Sequence, residues 1–397
     1  MQRFIKITKN ILLAALFIFT VLVIFNWEKA NRLHSVITLF DRELIVKNFS
    51  NMNKSFITQS VQKSDELFEF DTSLKPLPKK FYYREKSTSV DEFITRRATT
   101  ALLVIKNDQI TYENYFLDTQ PTDKRISWSM AKSFVSILFG MQVDEGKINI
   151  ENTVDFYLPE MKGSGYENVK VEHVLQMSSG VKWDEDYQNF NSDINKMGRV
   201  LAIGGSLDEM TTKLESESEP GKEFHYVSMD THVIGMIVRR VSGKSLALLL
   251  QENIWQKLGM ESSADWIVDS KGAAFALGGL NVTTRDYARF GRLLVNNGQW
   301  EDEQLVSEDW IKAATTANAG YLESTKDKLG YGYQIWLPTL AEEGEFFCVG
   351  VYGQYIYVNQ KENVVIVKNS ADKLFQDALN SKQETMAFFR EIVKSLK

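Results

Sequence analysis

Ser129 and Lys132 are the two residues whose types and spacing best suit catalysis. They lie three positions apart at the start of an apolar stretch, so on a helix both side chains occupy one face. In water neither would react, because the hydroxyl hardly ionises and a lysine has a pKa of about 10.4. Burial disfavours the ammonium form, and the positive end of a helix dipole lowers the lysine pKa further. A neutral Lys132 could then take the proton of Ser129 as the serine attacks a carbonyl carbon, and the backbone N–H of Ser129 could hold the oxyanion.

The S-x-x-K pattern alone leaves two interpretations open, because three further copies start at Ser60, Ser179 and Ser370. The Ser60 copy lies in a polar stretch, the Ser179 copy contains a glycine, and the Ser370 copy follows a strand-like run. We interpret these three as chance matches, since none opens a strongly apolar helix. For Ser129 the alternative is structural, because a serine N-cap and an exposed lysine are a common pair at helix starts.

The composition is that of a globular protein, with 44% hydrophobic and 25% charged residues among 397. A net charge of −6, without a basic run interleaved with aromatics, argues against a nucleic-acid partner. Cys348 is the sole cysteine, which excludes an internal disulfide and a cysteine-based metal cluster. We expect no cofactor and no metal site, because metal-ligand spacing is absent from the four histidines, His34, His173, His225 and His232. His225, near the proposed site, is interpreted as structural.

Residues 1–29 are predicted to be a membrane anchor or a signal segment. Every residue from 11 to 25 except Thr20 is apolar, and basic residues precede this run. Extended to Trp27, the run reaches the lower limit of about 17 residues for a spanning helix, so a cleavable signal and a buried core helix are alternatives. No A-x-A-like cleavage site follows, which favours an uncleaved anchor over residues 11–27. The basic flank predicts a cytoplasmic N-terminus and an extracytoplasmic catalytic domain, periplasmic or extracellular.

Strand-like segments lie on both sides of a helical middle region. Residues 99–105 and 110–116 predict a hairpin that leads into the Ser129 helix. The C-terminal part predicts strands over 331–336, 345–349, 354–358 and 364–368, and then a helix over 374–396. Residues 30–80 are polar and irregular and predict a loose extension or linker, followed by one folded domain over 81–397. This order predicts a mixed sheet closed by the two termini, with a helical subdomain.

Tyr226 and Ser228 form a Y-x-S motif after a turn signal. With S-x-x-K at Ser129, the segment 177–180 and the segment 350–354, this gives several motifs in one order. From about residue 81 onward the chain therefore resembles the serine β-lactamase-like hydrolases, which include class C β-lactamases, D-alanyl-D-alanine carboxypeptidases, family VIII-type esterases and 6-aminohexanoate-oligomer hydrolases. The resemblance is strongest to the 6-aminohexanoate-dimer hydrolase branch, where the segment 183–187 also has a counterpart. It implies an α+β fold of the β-lactamase and penicillin-binding-protein type, an antiparallel sheet flanked by helices with a helical subdomain.

The resemblance also assigns roles to individual residues. It makes Ser129 the nucleophile, Lys132 its general base and Tyr226 the residue that passes protons to the leaving group. The tyrosine could act as a tyrosinate or as a hydrogen-bonded phenol beside the lysine. Val351 would supply the second oxyanion N–H and Tyr187 would touch the substrate. The complete set of predicted substrate-binding and oxyanion residues is Tyr187, Ser228, Gly350, Val351 and Tyr352.

Two departures from the pattern bear on the substrate. No K-[ST]-G triad occurs, and residues 348–350 are Cys-Val-Gly where the lysine and hydroxyl that grip a substrate carboxylate would lie. Ser228 also replaces the usual asparagine. The sequence therefore predicts a serine hydrolase that cleaves a small-molecule ester or amide through an acyl-Ser129 intermediate, with binding by apolar contact. The alternatives are a penicillin-binding-type D-alanyl carboxypeptidase or β-lactamase, and a non-catalytic relative that binds or assembles.

Overall fold

The computed structural model describes residues 2–376 and 378–397. The α-helices are α1 (Gln2–Phe25), α2 (Trp27–Thr38), α3 (Ile45–Ser50), α4 (Met52–Ser55), α5 (Val90–Arg96), α6 (Ala131–Asp144), α7 (Val154–Tyr157), α8 (Val171–Leu175), α9 (Asp193–Ile203), α10 (Leu207–Thr211), α11 (Ser228–Ser242), α12 (Leu246–Leu250), α13 (Thr284–Val295), α14 (Glu308–Ala314) and α15 (Ala378–Ser395). Short 3₁₀ turns occur at Trp128–Met130, Pro159–Met161, Gly320–Leu322 and Lys373–Gln376, and a π-helical turn at Gln251–Trp255.

The strands are β1 (Thr58–Val61), β2 (Asp71–Thr72), β3 (Lys80–Tyr83), β4 (Lys86–Ser89), β5 (Thr99–Lys106), β6 (Gln109–Tyr115), β7 (Arg125–Ile126), β8 (Ala264–Ile267), β9 (Leu280–Val282), β10 (Gln299–Trp300), β11 (Glu303–Gln304), β12 (Gly330–Tyr331), β13 (Trp336–Leu337), β14 (Glu345–Gly350), β15 (Gln354–Asn359) and β16 (Val364–Ser370). The main sheet has eight strands in the order β12-β13-β14-β15-β16-β5-β6-β2. Its pairs are antiparallel except β2 with β6. The predicted hairpin and the predicted pairing of early with late strands are confirmed.

Both faces of the main sheet are buried against helices. In β16, Val365 and Val367 belong to the core on the α13 side, while Val364 and Ile366 belong to the core shared with α15. This alternation is what a strand covered on both faces requires, because successive side chains point to opposite faces. The close packing of α13 depends on Gly291, where a Cβ would lie 2.4 Å from a methyl of Val365.

Helix α6 lies at the centre of the large core and is buried on nearly all sides. A helix with apolar residues all round is typical of such a position. The hydroxyls of Ser133 and Ser136 donate to the carbonyl oxygens of Gln334 (2.9 Å) and Tyr333 (2.7 Å), which fixes α6 relative to the β12–β13 turn. The start of α6, with Lys132, is therefore held rigidly.

The predicted strand over residues 331–336 is wrong in its middle. The chain forms the two short strands β12 and β13, which pair antiparallel around a tight turn. Gln334 has a φ of 63° in this turn, and its backbone N–H donates to the Leu175 carbonyl oxygen instead of a strand neighbour. The predicted helix over 374–396 is present as the Lys373–Gln376 3₁₀ turn and α15.

The prediction of a loose extension over residues 30–80 is wrong for much of its length. Leu39, Ile45, Phe49 and Met52 are buried in the large core, and β1 pairs antiparallel with β8. The four apolar side chains recur at spacings of three to six residues, so they bury one side of this stretch. This N-terminal segment is part of the folded body.

The part of helix α1 from residue 7 to residue 25 is mostly apolar and is exposed. Judged by length and composition alone, the helix over residues 7–25 is long enough and apolar enough to cross a membrane. A signal sequence near the N-terminus meets the same criteria. The anchor over residues 11–27 and the extracytoplasmic catalytic domain therefore stay predictions.

Candidate active site

Ser129 lies in the 3₁₀ turn Trp128–Met130, which runs directly into α6. Trp128 has a φ of 43°, a conformation that is unfavourable for a bulky residue and that proteins tend to retain at functional sites. The end of β14 passes beside this turn, since a Cβ on Gly350 would lie 2.2 Å from the Ser127 carbonyl oxygen. A glycine is needed there, and it brings the backbone of Gly350 and Val351 next to Ser129.

Lys132 lies one turn further along and is buried, with 1% of its surface exposed. Its Nζ is 3.4 Å from Ser129 Oγ and 3.2 Å from Ser228 Oγ, and it donates to the Leu277 carbonyl oxygen at 2.9 Å. Burial lowers the pKa of Lys132 to about 7. The amine is therefore partly neutral at physiological pH and lies within reach of the serine proton.

This lysine predicts a pH profile. We expect kcat/KM for a neutral ester to fall about tenfold per pH unit below a pKa of about 7 and to level off above it, because the ammonium form cannot accept a proton. Hydrolysis of p-nitrophenyl acetate between pH 5.5 and 8.5 measures this profile. A rate that is flat across pH 7, or that rises as the pH falls, would contradict a lysine base.

Tyr226 lies two residues before α11, with the Lys132 Nζ 5.3 Å from its ring centroid. Burial and the charge of Glu185 raise the pKa of Tyr226 well above its usual value, although a hydrogen bond with Ser129 acts in the opposite direction. This direction favours the phenol over the tyrosinate, the two forms left open by the sequence. A phenol can donate a proton to a leaving group.

Glu185 is a site residue that the sequence reasoning did not single out. Its carboxylate accepts from the Ser228 hydroxyl (2.6 Å), the Ser228 backbone N–H (3.3 Å), the Tyr187 hydroxyl (2.6 Å) and the Trp183 indole N–H. It lies at the N-terminus of α11, where a negative charge is favourable. It therefore fixes Ser228 beside Lys132 and opposes, by its charge, the lowering of the lysine pKa. The sequence does carry a signal for Glu185. Trp183, Glu185 and Tyr187 alternate along the chain, so an extended segment places their three polar groups on one side.

Two cavities meet at Ser129. The first cavity has a volume of about 350 Å³ and the second about 200 Å³. Ser129, Tyr187 and Val351 line both, so the serine hydroxyl is accessible from two sides. Two other predicted site residues, Tyr226 and Gly350, line the first cavity but not the second.

The structure brings every predicted site residue to this junction. Ser228 and Tyr352 line the second cavity. The ring of Tyr352 stacks on Phe40 at 5.0 Å and contacts Phe375 at 4.3 Å, so it is packed as well as accessible. Trp183, in contrast, is buried with 4% exposure and supports Glu185.

Lys382 is a second residue that the sequence reasoning missed. It lies on α15, lines the first cavity, and holds its Nζ 4.5 Å from the Trp336 ring centroid. Burial lowers the pKa of Lys382 to about 8, which leaves it mostly cationic at pH 7. The cation that a K-[ST]-G strand would supply is absent from β14, and here a cation reaches the cavity from the C-terminal helix.

The other S-x-x-K copies lie in different settings. Ser60 is in β1, Ser179 is in a loop after α8, and Ser370 ends β16. The ring of His225 contacts the Trp183 carbonyl oxygen at 3.1 Å, which fits a structural role. Within residues 2–376 and 378–397, no group of three or more His, Cys, Asp or Glu side chains could hold a metal ion.

Comparison with known proteins agrees with this geometry. The 6-aminohexanoate-dimer hydrolase of Paenarthrobacter ureafaciens is 28% identical over 337 residues, which cover 81% of this chain and 84% of the relative. A Bacillus anthracis structure ascribed to the same activity superposes with a TM-score of 0.75 at 24% identity, covering 89% of this chain and 96% of that chain. EstCE1, a hydrolase with promiscuous acyltransferase activity, gives a TM-score of 0.58 at 13% identity, covering 75% of this chain and 96% of its own.

The sequence profile of the family described as Beta-lactamase matches residues 88–381, well over half of the 397 residues. The α+β fold with helices on both faces of an antiparallel sheet is the fold of this superfamily, as the sequence motifs predicted. Relatives over most of the chain are hydrolases. The chain belongs to the beta-lactamase family and is a serine hydrolase of that superfamily.

Proposed function

We propose that the protein cleaves a small ester or amide through an acyl-Ser129 intermediate, with Lys132 as general base and Tyr226 as proton donor. The observation that carries this proposal is the buried amine of Lys132, 3.4 Å from Ser129 Oγ, at the junction of two cavities. An amine whose pKa is lowered to about 7 matches the needs of a base at neutral pH.

In acylation, Ser129 Oγ attacks the substrate carbonyl carbon while its proton passes to Lys132 Nζ. The negative charge then forms on the carbonyl oxygen, and the backbone N–H groups of Ser129 and Val351 hold it. Collapse of this intermediate breaks the bond to the leaving group. Tyr226 gives its phenolic proton to the departing oxygen or nitrogen and is reprotonated from the Lys132 ammonium.

In deacylation, water takes the place of the leaving group. Lys132, neutral again, accepts a proton from the water through Tyr226 as the water oxygen attacks the acyl carbon. The bond to Ser129 Oγ breaks, and the serine recovers its proton from Lys132. Glu185 holds Ser228 and Tyr187 around this path, and its charge raises the pKa of both Lys132 and Tyr226.

A three-substrate comparison tests the proposal against a penicillin-binding or β-lactamase activity. We expect p-nitrophenyl butyrate to be turned over fastest, a short linear amide more slowly, and a penicillin poorly. Tyr226→Phe should lower kcat/KM for the amide about 10²-fold to 10³-fold and for the activated ester less than about tenfold, because p-nitrophenolate leaves without a proton. Steady-state kinetics on one preparation of each protein give both results.

Two outcomes would oppose this assignment. Faster hydrolysis of penicillin than of the ester would restore the β-lactamase alternative. Equal losses for ester and amide in Tyr226→Phe would show that the tyrosine does not act on the leaving group. The fold of the variant is checked by its Tm, since the substitution removes one hydroxyl from a site otherwise held by aromatic contacts with Trp336 and Tyr331.

We also propose that residues 11–27 anchor the enzyme in a membrane, with the catalytic domain extracytoplasmic. The apolar, exposed α1 supports this placement. After expression of the full chain, we expect the protein to stay in the membrane pellet during alkaline carbonate extraction. Deletion of residues 1–29 should release it, and a full-length chain found in the soluble fraction would contradict the anchor.

A further inference from the structure

The second cavity is built in large part by segments of the chain that lie outside the catalytic motifs. Val36 on α2 and Phe40 after it line the cavity from the N-terminal segment, and Met197 and Leu201 line it from α9. Ser129 lies where this cavity joins the first one. Any group that fills the second cavity is therefore in contact with the nucleophile.

The position of Tyr226 distinguishes the two cavities. A leaving group must lie beside the residue that protonates it, and Tyr226 lines the first cavity but not the second. The leaving group then occupies the first cavity, beside Lys382. The acyl group, bound to Ser129 Oγ after the first step, extends to the other side.

The lining of the second cavity matches a hydrocarbon. No Asp, Glu, Lys, Arg or His occurs among its described lining residues, and most of those residues are aliphatic or aromatic. The amide of Asn195 points its donors at backbone carbonyl oxygens, including that of Tyr187 at 3.1 Å, so it is already satisfied. A charged or strongly polar acyl group would lose its hydration there without gaining a partner.

We propose that the second cavity is an acyl-chain site and that the enzyme prefers unbranched medium-chain acyl substrates. This inference rests on the proposed function, since it assumes acylation of Ser129. A volume of about 200 Å³, at about 30 Å³ for each water-sized unit, holds a chain of about six or seven heavy atoms. Burial of each methylene should raise kcat/KM about fourfold, the equivalent of about 0.8 kcal/mol.

Gly198 on α9 offers a direct test. It lines the second cavity, and a Cβ built on it meets nothing within 4 Å. Gly198→Leu would fill the cavity, and it should not destabilise the helix, because leucine favours helices over glycine. Gly320→Leu is the matched control, since a Cβ there also meets nothing within 4 Å and Gly320 lines neither cavity.

The measurement is the ratio of kcat/KM for p-nitrophenyl hexanoate to that for p-nitrophenyl acetate. Hexanoate has four more methylenes than acetate, so at about fourfold for each we expect a wild-type ratio of about 250. Gly198→Leu should lower the ratio at least about tenfold, while Gly320→Leu should leave it unchanged. A wild-type ratio of one or less, or an unchanged ratio in Gly198→Leu, would overturn the acyl-chain site even though Ser129 reacts with a fluorophosphonate. Absence of both labelling and acetate hydrolysis would instead remove the proposed function, and this inference with it.

Discussion

Ser129→Ala is expected to abolish fluorophosphonate labelling and to lower ester hydrolysis by at least about 10⁴-fold, the scale seen when a nucleophile is removed from a serine hydrolase. The wild-type protein should gain one probe mass in intact-mass analysis, because Lys132 can deprotonate the Ser129 hydroxyl, while the other hydroxyl beside this lysine, that of Ser228, already donates to Glu185. The variant deletes a single oxygen in a 3₁₀ turn that is held by its backbone, so its Tm should stay close to that of the wild type.

A matched control comes from the chain itself. Ser60 begins another S-x-x-K copy, but it lies on β1, exposed, outside both cavities. The Ser60→Ala variant should be labelled fully by the fluorophosphonate and should turn over substrate at the wild-type rate. Full labelling of Ser129→Ala would identify a different nucleophile and would remove the proposed mechanism.

Local patterns in the sequence were enough to predict the reactive pair. Ser129 and Lys132 lie three positions apart, and an apolar run after them predicts a buried helix. Both properties depend on neighbours in the chain. The β5–β6 hairpin was predictable for the same reason, because alternation and a short turn between strands are local signals.

The rest of the site depends on contacts between distant parts of the chain. Glu185 reaches Ser228, 43 residues away, and Lys382 reaches Trp336 from the C-terminal helix. No spacing rule connects such pairs. The turn at Gln334 is a further case, because its side chain satisfies the backbone carbonyl oxygens of Val174 and Leu175 at the end of α8, and this tertiary demand overrides the strand pattern.

The packing of residues 39–52 was missed for a related reason. Apolar side chains at irregular intervals among charged and amide residues make a weak signal, yet Phe49 is fully buried against the ring of Trp128. This contact supports the strained turn that holds Ser129. A segment interpreted as a linker thus contributes to the position of the nucleophile.

Lys132→Arg is expected to lower kcat/KM by about 10³-fold or more, although the side chain keeps its charge and its hydrogen-bond donors. A guanidinium does not deprotonate in a protein, so it cannot take the proton of Ser129. If Lys132 acted only as a fixed positive charge near the oxyanion, arginine would preserve much of the activity. Ester kinetics and fluorophosphonate labelling of the variant therefore separate the two roles. Lys63→Arg, in the exposed Ser60 copy, is the matched control and should behave as the wild type.

Arginine is larger than lysine in a site with 1% exposure, so a loss of activity could reflect altered packing. Lys132→Met resolves this, because methionine has a similar length and no amine. The pKa of Lys132 in the folded protein, about 7, lies below its unfolded value of about 10.4, so folding at pH 8 releases a proton and the lysine lowers stability there. Methionine carries no titratable group and so removes this destabilisation. The Tm of Lys132→Met should therefore equal or exceed that of the wild type, while its activity falls as far as that of Lys132→Arg. Activity of Lys132→Arg within tenfold of the wild type would show that Lys132 is not the base.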